Sequence, residues 1–241
     1  MAAYQGMPYI AAQMDSILAQ LAQDDELVIS DNGSTDGTLG YLQSIADSDP
    51  RIRLLSLTDA KGVLPNFQNA LQQCRGDIIF LCDQDDIWKS DKMDTISRLF
   101  DAHPNLMAVQ ADADIIDANG HRIQNSFFDQ RKCGPGLWKN FRKNTWQGCS
   151  MAFRRNLLAV ALPFPGKIPM HDVWIGMLAE IAGDVLFLPE VLISYRRHED
   201  NQSGSRPAGW RKVILWRLRL GGVVLAKMQA ARQAGKRMRG R

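Results

Sequence analysis

Residues 78–88, IIFLCDQDDIW, carry an apolar run straight into Asp83, Asp85 and Asp86. A short, continuous apolar stretch of this kind reads as a strand buried on both faces, as in a parallel sheet. Three carboxylates this close repel one another unless a cation, a shared proton or open water relieves them. Oxygen ligands at spacings i, i+2 and i+3 suit a hard divalent ion such as Mg2+ or Mn2+. A solvated acidic loop fits the same spacing, and the residues alone leave both readings open.

The preceding segments repeat the logic. DELVISDNGSTDGTLGYLQSIA predicts a strand over Leu27–Ser30, a turn at Asp31-Asn32-Gly33 and a helix from Thr38. Ser34, Thr35 and Asp36 supply helix-capping chemistry. RIRLLSL reads as the next strand, and PNFQNALQQC as a helix with Phe67, Ala70, Leu71 and Cys74 on one face. Strands alternating with helices imply β-α-β units in a mostly parallel, Rossmann-like α/β sheet. Ligands in such sheets gather at the carboxyl ends of the strands. Asp31 and the Asp83–Asp86 cluster both fall at such ends.

Further on, the pattern predicts a helix over about 90–102 and a strand in MAVQADADII. A loop-like stretch follows from Asn125 to Asn144, and QGCSMAFRRNLLAVA reads as a strand entering a helix. HDVWIGMLAEIAG predicts another helix, with His171 or Asp172 near its start, and DVLFLPEVLISYRRH two strand-like pieces. Taken singly, Asp172 reads first as a helix cap and His198 as an ordinary surface histidine.

In series these segments resemble glycosyltransferase family 2, the inverting GT-A enzymes, and particularly its bacterial rhamnosyltransferase-like members. The landmarks are AAYQGMPYIAAQMDSILAQ, ELVISDNGSTDGT, DPRIRL, NFQNAL, GDIIFLCDQDDIW, QGCSMAFRR, HDVW and YRRHEDNQSG, spanning residues 2 to 204. The resemblance implies a GT-A domain over 1–204 that transfers a sugar from a UDP- or dTDP-sugar donor. The implied acceptor is a glycan or polyprenyl-linked glycan in bacterial surface polysaccharide synthesis, at the cytoplasmic face of the membrane.

It also implies site roles. Ala3, Tyr4, Asp31, Asn32, Asp83 and Asp85 would bind the nucleotide-sugar. Asp86, with Asp85 and His198, would hold Mg2+ or Mn2+, and Asp172 would be the catalytic base. Gly148, Cys149 and Trp174 would shape the acceptor pocket, with Trp174 helping to bury Asp172. The pattern departs at Asn32, where relatives carry a second acid. It departs again at the start, where relatives have a full strand before the Ala3-Tyr4 equivalent. The first strand is therefore expected to be truncated, at a cost of about 1–3 kcal/mol for each unpaired backbone group left buried.

Composition sets the outer bounds. The chain has 241 residues, 45% hydrophobic and 23% charged, as ordinary globular proteins do. No apolar run reaches membrane-spanning length, and MAAYQGMPYI lacks the pattern of a secretory signal. The four cysteines show no metal or disulfide spacing, which fits a reducing, cytoplasmic setting.

Charge is uneven. From Asn201 onward there are eleven Lys/Arg and no acid, leaving 18 basic against 26 acidic residues before it. The tail from 205 to 241 predicts a basic helical extension with Val213, Trp216, Leu220 and Val224 on one stripe. Lying on an anionic membrane is its first reading, packing on the domain its second, and nucleic acid a distant third, since no nucleic-acid fold accompanies KRMRGR. A sugar nucleotidyltransferase and a non-catalytic scaffold derived from a transferase are the rivals. The former usually needs a basic Gly-rich loop that AAYQGMPYI does not supply, and the latter has no use for Asp85, Asp86, Asp172 and His198.

Overall fold

The computed structural model describes residues 1–166, 168–199 and 210–239. Asp200–Gly204 of the late motif, 205–209 at the start of the tail and 240–241 at its end lie outside the described residues, as does the Val213 side chain.

Three parallel strands open the fold in the order β1 (Ala2–Ala3), β2 (Leu27–Asp31), β3 (Ile52–Ser56). Helices α1 (Ile10–Leu18), α2 (Thr38–Ala46) and α3 (Val63–Gln73) make the crossovers. β2 is buried along its whole length, as its unbroken apolar run demands. The α2 start is set by Gly37, whose φ of 99° suits glycine, while Asp36 accepts the Thr38 N–H at 3.1 Å.

The second sheet has the order β4 (Ile78–Phe80), β8 (Met151–Arg154), β6 (Leu106–Ile116), β9 (Asp184–Arg196), β5 (Ile87–Trp88), with β7 (Arg122–Gln124) on β6. Only β6 and β9 pair in parallel here; β4–β8, β6–β8, β5–β9 and β6–β7 are antiparallel. The expectation of a mostly parallel sheet is thus corrected for this half. After β4 the links cease to be simple crossover helices, and chains that return from one end pair antiparallel. DVLFLPEVLISYR forms one strand rather than two pieces.

β6 is the central strand, and all eleven of its residues are buried. Its polar side chains anchor the 125–150 excursion. Gln110 donates to the Thr145 carbonyl at 3.0 Å and accepts the Gln147 N–H at 2.9 Å. Asp112 accepts the Ser126 hydroxyl and, at 2.9 Å, the Phe128 N–H. The stretch expected to be loop therefore contains α5 (Phe127–Arg131) and α6 (Leu137–Arg142). Helix α4 (Lys92–Ala102) covers β6 on one face, while α7 (Leu158–Ala161) and α8 (His171–Ala182) build the core on the other.

The basic tail forms α9 (Trp210–Arg239), which packs on the domain before it, the second of the two readings of this helix. Leu220, Val224, Ala231 and Ala234 join the core formed by α7 and α8. A Cβ on Gly235 would stand 1.8 Å from the Ala182 carbonyl oxygen, so glycine is what lets α9 cross α8 this closely. The Leu220–Val224 stripe assigned to a membrane is spent inside the protein.

Ala2–Ala3 does pair with β2, in the register Ala2↔Ser30 and Ala3↔Asp31. Below that pairing, between β2 and β4, lies a cavity of about 820 Å³ lined by Leu27, Val28, Phe67, Leu71, Ile79 and Leu81.

Candidate active site

The turn between β4 and β5 carries the acidic ledge, and three ties hold it. The Gln84 side chain donates to the Tyr4 carbonyl at 2.8 Å and accepts the Tyr4 N–H at 2.5 Å, joining the ledge to the end of β1. Arg196, at the end of β9, donates its backbone N–H to Asp86 at 2.9 Å and its Nε–H to the Asp85 carbonyl at 2.8 Å. Its remaining arm reaches the Asp117 and Ala118 carbonyls. Beneath the ledge, wholly buried Lys92 donates to the Cys149 carbonyl at 2.8 Å with its ammonium 4.2 Å from the Trp88 ring centre. Burial pushes the Lys92 ammonium down to about 8.

Two different surroundings divide the acids. Asp86 is wholly buried, and burial, then the charges of Asp85 and Asp83, hold its carboxyl well above the ordinary carboxylate range. Asp83 is pushed up by burial first, then by Asp85 and Asp172. Oxygen or sulfur atoms of Asp83, Asp86 and Cys149 lie within 4.8 Å of one another. Burial keeps that thiol protonated, however, and a thiol is a poor partner for Mg2+ or Mn2+. Asp85 instead meets His198, Oδ2 to Nε2 at 2.8 Å, with 13% and 11% of the side chains exposed. A carboxylate beside an imidazole at the mouth of a cleft is the donor set that a hard or borderline divalent ion accepts.

Asp172 opens the first turn of α8, where the helix dipole favours a negative charge. Burial nevertheless raises its carboxyl to about 6, against hydrogen bonds from the Val173 N–H, the Asn144 side chain and the Gly148 N–H. Asp172 is near enough to raise the Asp83 carboxyl, so base candidate and ledge are neighbours. His171 points into the core, stacked on Phe67 with ring centres 3.9 Å apart, and burial drives its imidazole down to about 3. Gly148 is small for a clear reason: a Cβ there would stand 2.7 Å from His171 Nε2.

The structure thus gathers Asp83, Asp85, Asp86, Asp172, Gly148, Cys149 and His198, and redirects several expected contacts. Asn32 is not free to read a base. Its amide donates to the Leu57 and Ala60 carbonyls, each at 2.8 Å, and accepts the Gly62 N–H at 2.9 Å. Asp31 is wholly buried and closes its own turn, accepting the Gly33 and Ser34 N–H groups at 3.0 and 2.9 Å. Ala3 is buried with its carbonyl bound by Asn32 and Asn66, whereas Tyr4 keeps half its surface exposed beside the ledge. Trp174 does not line an acceptor pocket: it is wholly buried and donates to the Ala161 carbonyl at 3.0 Å. Asp86, expected as the main metal ligand, is wholly buried beside a thiol and gives its Oδ1 to the Arg196 N–H.

Sequence reading missed Gln84, Lys92, Asn144 and Arg196. Gln84 and Arg196 stood inside quoted motifs, DQDD and YRRH, but their partners are remote in the chain. Tyr9 was missed as well. Its ring lies 4.7 Å from the His198 ring and 4.8 Å from the Arg196 guanidinium.

The fold and motifs have known counterparts. A UDP-Glc:alpha-D-GlcNAc-diphosphoundecaprenol beta-1,3-glucosyltransferase, WfgD, of Escherichia coli is 29% identical over 183 residues, 75% of this chain and 68% of that protein. An uncharacterized glycosyltransferase of Nostoc sp. is 27% identical over 206 residues, 82% of this chain and 63% of the relative. TarS residues 1–349 of S. aureus, in complex with UDP-GlcNAc, superposes with a TM-score of 0.69 at 18% identity, covering 93% of this chain and 65% of that one. That likeness places the α/β architecture among GT-A folds. The chain spans 63% and 57% of the length of two curated relatives that it matches. With the glycosyl transferase family 2 model matching residues 1–160, the chain belongs to glycosyl transferase family 2.

Proposed function

We propose that this protein transfers a sugar from a nucleoside-diphosphate donor to a hydroxyl of a glycan or polyprenyl-linked glycan, inverting the anomeric centre. The observation that carries this reading is proximity: Asp172, raised to about 6, stands within electrostatic reach of Asp83 on the ledge that also presents Asp85 and His198. A carboxyl near 6 is ionised at neutral pH yet a better proton acceptor than an ordinary aspartate. Asp172 takes the proton of the acceptor hydroxyl as its oxygen forms a bond to the anomeric carbon; the bond from that carbon to the diphosphate breaks on the opposite face. Tyr4, half-exposed beside the ledge, lies on the donor side with Asp83.

Asp85 and His198 are the residues that would hold a divalent cation, and such an ion, when bound, offsets the charge of the departing diphosphate. Gln84 and Arg196 keep the ledge in place, and neutral His171 packs against Gly148, whose N–H bonds Asp172. A UDP- or dTDP-sugar remains the preferred donor class, with bacterial surface polysaccharide as the setting and the cytoplasmic face of the membrane as the location. The undecaprenol-linked substrate in the WfgD name supports that choice. Among the described residues no helix is long and apolar enough to cross a membrane, so contact with a lipid-linked acceptor would be made from the surface.

Calorimetry with UDP, dTDP and GDP, with and without Mn2+, tests the reading. Manganese-dependent binding of one nucleotide, followed by slow hydrolysis of its sugar conjugate, is the expected result. A folded sample that binds none of the three in either condition would overturn it.

A further inference from the structure

Helices α6 and α9 meet at the edge of the core. The Phe141 ring lies over Gly221, where a Cβ would be 3.1 Å away, and Arg217 donates to the Arg142 carbonyl. Trp138 stacks on Phe141 with ring centres 5.7 Å apart and leaves 74% of its surface in solvent. On α9, Leu218 and Leu225 flank Gly221 at i−3 and i+4, on the same side as Phe141, and are 69% and 67% exposed. Trp138, Phe141, Leu218 and Leu225 therefore form one outward apolar patch built by two separate helices.

Its surroundings are mainly basic, with Glu180, bonded to Asn140 and the Gly136 N–H, as an acid against α6. Residues 130–143 hold Arg131, Lys132, Lys139, Arg142 and Lys143 without an acid, and α9 contains no acid at all. Single exposed leucines need no explanation, whereas an apolar patch in mainly positive surroundings marks an interaction surface. A partner must offer negative charge around an apolar interior, and tryptophan favours the boundary between the two.

We propose that the α6–α9 face docks on an anionic lipid bilayer, with Trp138, Leu218 and Leu225 entering the headgroup boundary and the surrounding Lys and Arg meeting acidic headgroups. This is the face of α9 opposite the Leu220–Val224 stripe that the core consumes. It deepens the reading of a lipid-linked acceptor, because the segment that ends α6 continues to Asn144, the side chain bonded to Asp172. A bilayer held at α6 delivers the acceptor head to the base.

The test is co-sedimentation of the full chain with vesicles of phosphatidylcholine alone, or with about one third phosphatidylglycerol. Anionic vesicles are expected to bind at least about tenfold better, with binding falling as salt rises. The W138Q/L218Q/L225Q variant is expected to lose that binding by about tenfold while its turnover of a soluble acceptor is unchanged. Equal binding to neutral and anionic vesicles overturns the proposal, as does unaltered binding by the variant. A dimer in sedimentation that the variant dissolves also overturns it, assigning the face to a second copy of the chain. Should the variant unfold, the salt series on the unsubstituted protein decides: salt-independent binding refutes an anionic partner. Loss of transfer with intact vesicle binding would refute the catalytic reading and leave this one standing.

Discussion

His198 Nε2 lies 2.8 Å from Asp85 Oδ2 although 113 residues separate them, because β9 carries the chain back beside β5 and ends at the ledge. Arg196, two residues earlier, binds the ledge backbone and so sets where His198 emerges. The pair brings a carboxylate and an imidazole together on the ledge, a donor set that suits a divalent cation.

Asp85→Asn and His198→Ala are each expected to weaken Mn2+-dependent nucleotide binding by tenfold or more, a loss of about 1.4 kcal/mol. The double variant is expected to lose less than the two single losses combined, since both side chains serve one ion. Calorimetry across the four-protein cycle checks this; strictly additive losses would separate the two residues.

Asp172→Asn is expected to retain nucleotide binding and lose transfer by two to four orders of magnitude, about the usual contribution of a general base. In the unsubstituted protein the base must be ionised, so transfer should fall as pH drops through about 6. The stability sign is opposite. A carboxyl raised above its ordinary value near 3.8 favours the fold below that value, and the benefit is gone above about 6. Asp172→Asn should therefore melt at a higher temperature than the parent at pH 7.5, with calorimetric scans as the check.

Asn32→Ala is expected to cost about 1–3 kcal/mol of stability, since Gly62 N–H and two carbonyls lose their partner. The ratio of affinities for UDP, dTDP and GDP should stay as it was. A changed base preference at unchanged melting temperature would return Asn32 to the nucleotide pocket.

Gly235→Ala is expected to destabilise by about 1–3 kcal/mol, because the new methyl group meets the Ala182 carbonyl and α9 must shift on α8. For a chain of this size each kcal/mol corresponds to about 2–4 °C in Tm. An unaltered melting curve would show that α9 does not depend on this crossing.

Read alone, the sequence set the alternation of strands and helices up to β4, the acid-ended strands and the family, because apolar period and turn chemistry are local properties. It placed Asp83, Asp85, Asp172, Gly148 and His198 in one site only through resemblance, since nothing local makes residues 113 apart neighbours. Tertiary structure decided what each polar group was free to do. Asp31 spends its oxygens on its own turn, Asn32 its amide on the loop after β3, Asp86 one oxygen on the Arg196 N–H, and Trp174 its indole N–H on the Ala161 carbonyl. It also decided which face of α9 is buried: the helix has apolar residues on two sides, and the small Ala182–Gly235 crossing, legible only once α8 and α9 are side by side, selects one for the core and leaves Leu218 and Leu225 outside.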